Sequence, residues 1–438
     1  MDQTEALIIE TIDRHREEIL EFARDIYSHA ELGYKEFQTS GKFVKKMEQL
    51  GLRTEKGFAI TGVKAYLNED KKENASLALL GELDALRIPE HAFANPETNA
   101  AHCCGHHAQM AGVFGAALAL TVPEIAEKLD GQVVFFATPA EEYGEIEFKN
   151  QLREQGKIRY GGGKCELLRI GAFDDIDLCL THHIRPGNEI LVGSGTGNGF
   201  VSKVIRVLGK ASHAAGAPEK GVNALSAASL GLQALGLNRE TFRDEDCVRV
   251  HPIITKGGNL VNVIPDEVVV ETLVRGKTIE AFTDAAKKTD RSFKAGAIAI
   301  GAKVEISTLP GYLPTLAEEA LPELKHAAEI SASGIPVIEA SGHAGGSTDV
   351  GDVQHLMPVY TFNTGGVKGG LHQIDFEVTD EEEAYIVTAK MFALAAYGLL
   401  KEKAQRSREL VDQYEPVFKN SAEYVEFMEQ FDSKEIFE

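Results

Sequence analysis

Basic charge is what this 438-residue sequence is short of. Lys and Arg number 45 against 67 Asp and Glu, a formal net charge of −22. A nucleic-acid partner needs a basic face whose contacts release counterions, and no Lys/Arg stripe is present to supply one. The acidity reads as a solubility feature. Cysteine is scarce as well: five residues make an odd count and too few for a disulfide framework at this length. Cys103, Cys104, Cys165, Cys179 and Cys247 therefore read as reduced thiols, some of them available to a metal. No apolar run continues for the length that spans a bilayer. The N-terminus, MDQTEALIIETIDRHREEIL, reads as an amphipathic helix. It lacks the basic start and small-residue cleavage site of a signal peptide, so the chain is expected in the cytoplasm.

What the chain does have is an apolar fraction of 43%, enough for sizeable cores, and a length that calls for two domains or a nested pair. ASLALLGEL (75–83), GQVVFFAT (131–138) and IDLCLT (176–181) are short apolar runs followed by turn signals, the pattern of buried parallel strands. A long helix-forming stretch, 108–129, separates the first two. That βαβ order predicts a mainly parallel sheet between helices. From about residue 198 the texture changes to alternating strands such as FVSKVIRVLG, with helices over VNALSAASLGLQALGL and TIEAFTDAAKKTDRSFKAGAIAIG. PVYTFNT (358–364) then resumes the first texture. The expected organisation is a discontinuous α/β domain, 1–197 and 309–438, interrupted by a compact α+β insert over 198–308. The charged, helix-prone last thirty or so residues carry no functional signal.

Polar groups recur just after the predicted strands, where open α/β sheets place their sites. Asp84 follows the first, Glu141 and Glu142 the second, His182 and His183 the third, and HCCGHHAQ (102–109) opens the long helix. Singly, a histidine at a strand end is a hydrogen-bonded structural residue and a Glu pair is solvated surface. Together, with Cys104 and His106 one residue apart on a glycine turn, they make a dinuclear metal site plausible. Thiolate, imidazole and carboxylate donors suit Zn²⁺ and can serve Mn²⁺.

The ordered motifs HAELGYKE, GELDALRI, HCCGHHAQ, PAEEYGE, HHIRPG, GKASHAAGAPEKGVNAL, NVIPD and LHQIDFEV resemble those of the M20 metallopeptidases. Their amidohydrolase subfamily is the nearest branch; it includes aminoacylase-like, auxin-conjugate and p-aminobenzoyl-glutamate hydrolases. The resemblance runs from about residue 14 to 400. It implies a zinc-peptidase-like catalytic domain, an inserted dimerisation or lid domain, two divalent ions and a homodimer. It also implies Cys104, His106, Glu142, His183 and His372 as metal ligands, Glu141 as the general base that activates water, and Asp84 as the carboxylate that orients a ligand. His213 in Gly-Lys-Ala-Ser-His matches a histidine that reaches across a dimer to stabilise the oxyanion in the other active site. Asn262 matches a donor to a substrate carbonyl. Arg275 matches the partner of a substrate carboxylate, against the plain alternative of a surface salt bridge.

The pattern also breaks. The subfamily's Cys-Gly-His-Asp-x-His is Cys-Gly-His-His-Ala-Gln here, so His107 replaces an acid and Gln109 a histidine. Ser347-Thr348-Asp349 stands for Ser-Glu-Asp, and Tyr143 follows the Glu pair where glycine is usual; GSTDVGDV is closer to one subunit type of the p-aminobenzoyl-glutamate hydrolases than to the common branch. Cys103 and His182 read as neighbours of ligands. The expected activity is hydrolysis of the amide bond in a small N-acyl amino acid or related conjugate. A dipeptidase or aminoacylase of broader range would share the same site. A non-catalytic metal- or ligand-binding homologue is the reading from another class, and the presence of a base beside the ligands argues against it.

Overall fold

The computed structural model describes residues 1–332 and 334–438, and the chain forms two compact units. The first unit takes residues 1–195, 316–342 and 352–421; the second takes 196–315, 343–351 and 422–438.

In chain order, the strands of the two main sheets begin with β1 (Arg53–Phe58), β2 (Gly62–Leu67), β3 (Ser76–Glu82), β4 (Gln132–Thr138), β5 (Leu178–Ile184) and β6 (Ile190–Val192). There follow β7 (Gly199–Leu208), β8 (Glu267–Gly276), β9 (Lys303–Pro310), β10 (Val337–Glu339), β11 (Val359–Thr364) and β12 (Ser433–Phe437). The first unit's sheet runs β1-β2-β4-β3-β5-β11-β6-β10. Its centre, β4-β3-β5-β11, is parallel throughout, as the apolar runs predict. β1 and β2 add antiparallel strands at one side, and β6 pairs antiparallel with β11 at the other. Every residue of β3 and β4 is buried, which is why both read as unbroken apolar runs.

Four helices matter for the site: α1 (Phe37–Gln49), α2 (His106–Leu120), α3 (Gly163–Arg169) and, closing the core, α4 (Thr388–Gln413). All fifteen residues of α2 are buried, polar ones included. It packs close to α4: a Cβ on Gly115 would lie 2.5 Å from the Ala389 Cβ. Glu382–Gln413 is long and apolar enough to cross a membrane, but 89% of its most apolar window is buried inside the protein, so it reads as a core helix. It is also broken, with non-helical backbone at Lys401, Glu402, Lys403 and Ala404.

The second unit's sheet is antiparallel. β7 lies between β8 and β9, β12 borders β9, and Arg249–Val250 and Ile253–Lys256 both pair with β8. β8 alternates between buried and half-buried residues; Val268 and Val270 pack with Ile205, Val207, Ala227, Ala228 and Phe293 in its core.

Three local expectations change. The N-terminal helix divides at His15 into Gln3–Arg14 and Arg16–Ser28. Only the second half of NLVNVIPDEVVVETLVRG is a strand, because the first half turns through Val263. Residues 343–351 and 422–438, placed by sequence in the first domain, belong to the second unit, where the tail pairs from Val304–Phe437 to Thr308–Ser433.

Candidate metal centre

Within the first unit, the polar residues after the strands converge. Cys104, His106 and His183 bring one ligand atom each within 4.8 Å of one another; so do Cys104, Glu142 and His372, and so do His106, Glu141 and Glu142. Two donor triads therefore share Cys104. The Cys104 sulfur lies 3.2 Å from His183 Nε2 and 3.2 Å from His372 Nε2. Donors around one tetrahedral zinc sit roughly 3.5 Å apart, given metal bonds of about 2.0–2.3 Å. The spacing fits.

Local sequence explains how each donor is aimed. Gly105 has φ +85° and a Cβ there would fall 2.0 Å from Ile184 Cγ2, so only glycine lets the Cys104–His106 turn rest on β5. His182 and His183 lie inside β5 instead of after it, and the two-residue period of a strand sends them to opposite faces. His182 goes into the core, between Phe362 and Phe392, with its Nε2 2.8 Å from Thr364 Oγ1. His183 faces the other donors.

The ring protons are fixed by main-chain carbonyls, which can only accept. His106 donates Nδ1–H to the Asp84 carbonyl at 2.9 Å, and His183 donates Nδ1–H to the Ile184 carbonyl at 2.7 Å. That leaves each Nε2 for a ligand bond when the ring is neutral. The Asp84 carboxylate lies 3.2 Å from the same His106 nitrogen and accepts the Glu142 N–H at 2.9 Å, so one residue ties two donors together. His372 holds φ +63°, uncommon for a residue with a side chain, and donates its N–H to the Cys103 carbonyl at 2.9 Å.

Sequence reasoning missed a second layer. Glu82, two residues before Asp84, is buried with one oxygen 2.5 Å from Lys164 Nζ and the other 3.1 Å from His106 Nε2. Gln109 clamps it twice, donating Nε2–H to the carboxylate at 2.8 Å and accepting the Glu82 N–H at 3.0 Å. Thus the glutamine that replaces the family's histidine grips a carboxylate. A carboxylate closing an otherwise apolar, fully buried strand could have flagged Glu82; nothing near Lys164 in sequence could have. His107 donates to or accepts from the Tyr385 hydroxyl at 3.0 Å, while neither nitrogen of buried His102 finds a partner.

The electrostatics are those of donors gathered for a cation. Burial raises the Cys104 thiol, and Glu142 raises it further, well above the usual range. Burial alone would depress His106, but Glu82 and Cys104 outweigh it and push its pKa well up. Burial and then His106 push His183 down. Burial raises the Glu142 carboxyl, yet the neighbouring His372 imidazole brings it below its ordinary value. Burial likewise raises Glu82, and Lys164 and His106 bring it to about 2, so it stays ionised. His106 Nε2 and Glu142 Oε1 are buried within ion-pair distance of Glu82 and His372, but neither atom makes a hydrogen bond. Donors aimed at a shared divalent ion account for this; the residues fit a metal.

The remaining predicted residues lie in the second unit. His213 is exposed, and its Nδ1 accepts from the N–H groups of Ala215 and Gly216 at 3.2 and 3.0 Å, which leaves the neutral ring's proton on Nε2. The Asn262 carbonyl accepts the Ala214 N–H at 3.0 Å, so His213 and Asn262 share one pair of loops. Arg275 lies over Phe200, 5.7 Å from the ring centre, with its guanidinium 3.5 Å from Ser347 Oγ.

With this geometry in view, the likeness to known proteins is direct. Residues 78–397 match peptidase family M20/M25/M40, and the chain belongs to it. It is an amide-bond hydrolase of that family. A mouse Xaa-Arg dipeptidase is 27% identical over 408 residues, covering 90% of this chain and 85% of that one. An N-acetylcysteine deacetylase of Bacillus subtilis (strain 168) is 26% identical over 399 residues, 87% of this chain and 97% of its own. A solved Bacillus subtilis structure, described as a dinuclear metal-binding peptidase from the M20 family, shares the fold at a TM-score of 0.61 and 24% identity, covering 89% of this chain and 99% of that one.

Proposed function

We propose that this chain hydrolyses the amide bond of small N-acyl amino acids or related conjugates, p-aminobenzoyl-glutamate among them, with Glu141 as general base. The observation that carries the reading is the meeting of Cys104, His106, Glu142, His183 and His372 beside Glu141. These five would hold two divalent ions, zinc or manganese by their donor chemistry. Such a pair supplies an acidified water and a polarised carbonyl. Glu141 takes the proton from the attacking water and returns it to the leaving nitrogen. Asp84 keeps His106 and the Glu142 peptide in place for both transfers. His213 of the partner subunit offers Nε2–H to the developing oxyanion in a homodimer. Asn262 holds a substrate carbonyl and Arg275 a substrate carboxylate. The five free cysteines support a reducing, cytoplasmic location as part of this proposal. The dipeptidase named among the relatives supports a second, broader substrate range on the same site.

The test is a metal-free preparation reconstituted with Mn²⁺, Zn²⁺, Co²⁺ or Ni²⁺ and assayed on a panel of N-acyl amino acids and dipeptides. Hydrolysis of at least one member, abolished by Glu141→Gln with metal content unchanged, is expected. No turnover across the panel would return weight to a non-catalytic binding homologue. Metal lost from the Glu141→Gln protein would mean that Glu141 is a ligand.

A further inference from the structure

Ala140, like His372, is a strained residue beside the site. It carries a side chain yet holds φ +50°, in the left-handed region, and it directly precedes Glu141. Strain of this kind persists only where the surroundings impose it. Three contacts do so here. The Ala140 N–H donates to Glu36 Oε1 at 2.8 Å, its carbonyl accepts the Gly163 N–H at 3.0 Å, and its Cβ rests on Gly33, where an added Cβ would come within 3.0 Å.

Glu36 comes from the start of α1, far away in sequence, and is fully buried. Its other oxygen accepts the Thr61 hydroxyl at 2.7 Å. Two peptides further on, the Glu142 N–H is held by Asp84. Glu141 is therefore slung between two peptides, each pinned by a buried carboxylate. Burial, and then the charge of Asp84, push the Glu36 carboxyl up to about 7, so this group is kept in place at an electrostatic cost.

We infer that Glu36 is a positioning residue of the hydrolysis: through the Ala140 peptide it fixes the left-handed turn that aims Glu141. The inference rests on the reading of Glu141 as the base. It distinguishes reach from charge. Glutamine at position 36 can still accept from Ala140 and can donate to Thr61, whereas aspartate keeps the charge but is one methylene too short.

The experiment compares Glu36→Gln, Glu36→Asp and Glu36→Asp/Ala140→Gly, each loaded with Mn²⁺ and matched for metal content and melting temperature. Glu36→Gln should keep kcat within about threefold. Glu36→Asp should lose kcat by about 10- to 100-fold at an unchanged KM, the scale expected for a reacting group displaced by about an ångström. Glycine at 140 adopts the turn without imposed contacts, so the double variant should recover part of that loss. Equal damage in Glu36→Gln and Glu36→Asp, a loss seen only in KM or metal content, wild-type kcat in Glu36→Asp, or no recovery in the double variant would each overturn the inference. If Glu36→Asp does not fold, the inference then stands or falls on Ala140→Val, which makes the left-handed turn costlier and must lower kcat with Glu36 intact. Full activity in Glu141→Gln would instead overturn the reading of the base and leave the Glu36 contacts unexplained.

Discussion

His106 and His372 offer the same ring atom to the same cluster, but they are held in opposite ways. His106 is fully buried at the start of a buried helix, with Asp84 at one nitrogen and, at the other, Glu82, which Gln109 and Lys164 hold in turn. His372 has a side chain 51% exposed, a left-handed backbone and a single main-chain bond to Cys103. One donor is part of the core and would keep its place without an ion. The other lies at the surface, on a left-handed turn. The contrast predicts a rigid side that sets geometry and a softer side that follows the ion.

The sharpest way to break this contrast is Gly105→Ala. The added methyl meets Ile184 and the backbone resists, so metal retention should vanish and metal-free stability should fall by more than about 3 kcal/mol. Elemental analysis and urea unfolding of the stripped protein would check both, and a stable, metal-bound variant would show that the rigid side is not rigid. Lys164→Met comes next. It strands the Glu82 anion in the core and should cost about 3–5 kcal/mol of metal-free stability, measured the same way. His372→Ala should change metal-free stability by under about 0.5 kcal/mol, as surface changes do, while weakening Mn²⁺ or Zn²⁺ binding at least about tenfold in chelator competition. A stability loss as large as that of Lys164→Met would erase the distinction.

A further effect is a slope. Glu36 ionises near 4.5 when unfolded and at about 7 when buried behind the rigid side. The folded chain therefore keeps a proton that the unfolded chain releases between those values. Stability from this group is full below about 4.5 and declines as pH rises to about 7. Glu36→Gln has no such proton, so its unfolding free energy should fall less steeply over that window. An unchanged slope would show that Glu36 titrates normally.

The sequence made the rigid side legible in part. β3 and β4 read as buried strands because both faces are covered, so apolar residues run on without alternation. Cys104, His106 and the Glu141–Glu142 and His182–His183 pairs stand out by donor chemistry and placement, while the choice of Glu142, His183 and His372 as ligands comes from the M20 resemblance. What stayed hidden depends on contacts distant in sequence. Lys164 meets Glu82 across 82 positions and Glu36 meets Ala140 across 104, and no local period encodes either. The break at Lys401 lies in a stretch whose composition is helical, so packing and not propensity sets it. The tail was misplaced for a similar reason: five residues of a strand, four of them exposed, carry almost no apolar signal.

That tail strand has a consequence for how the chain is made. β9 leaves the ribosome with its outer edge open, and its partner β12 follows only after β10, β11 and α4 have been synthesised. Until then the second unit's sheet exposes a row of unpaired amides and carbonyls, the surface most prone to join another chain. The order of synthesis and the order of sheet closure are thus mismatched. Once it arrives, the closing segment is held by the ladder and by the pairs of Glu435 with Lys294 and Glu438 with Lys303.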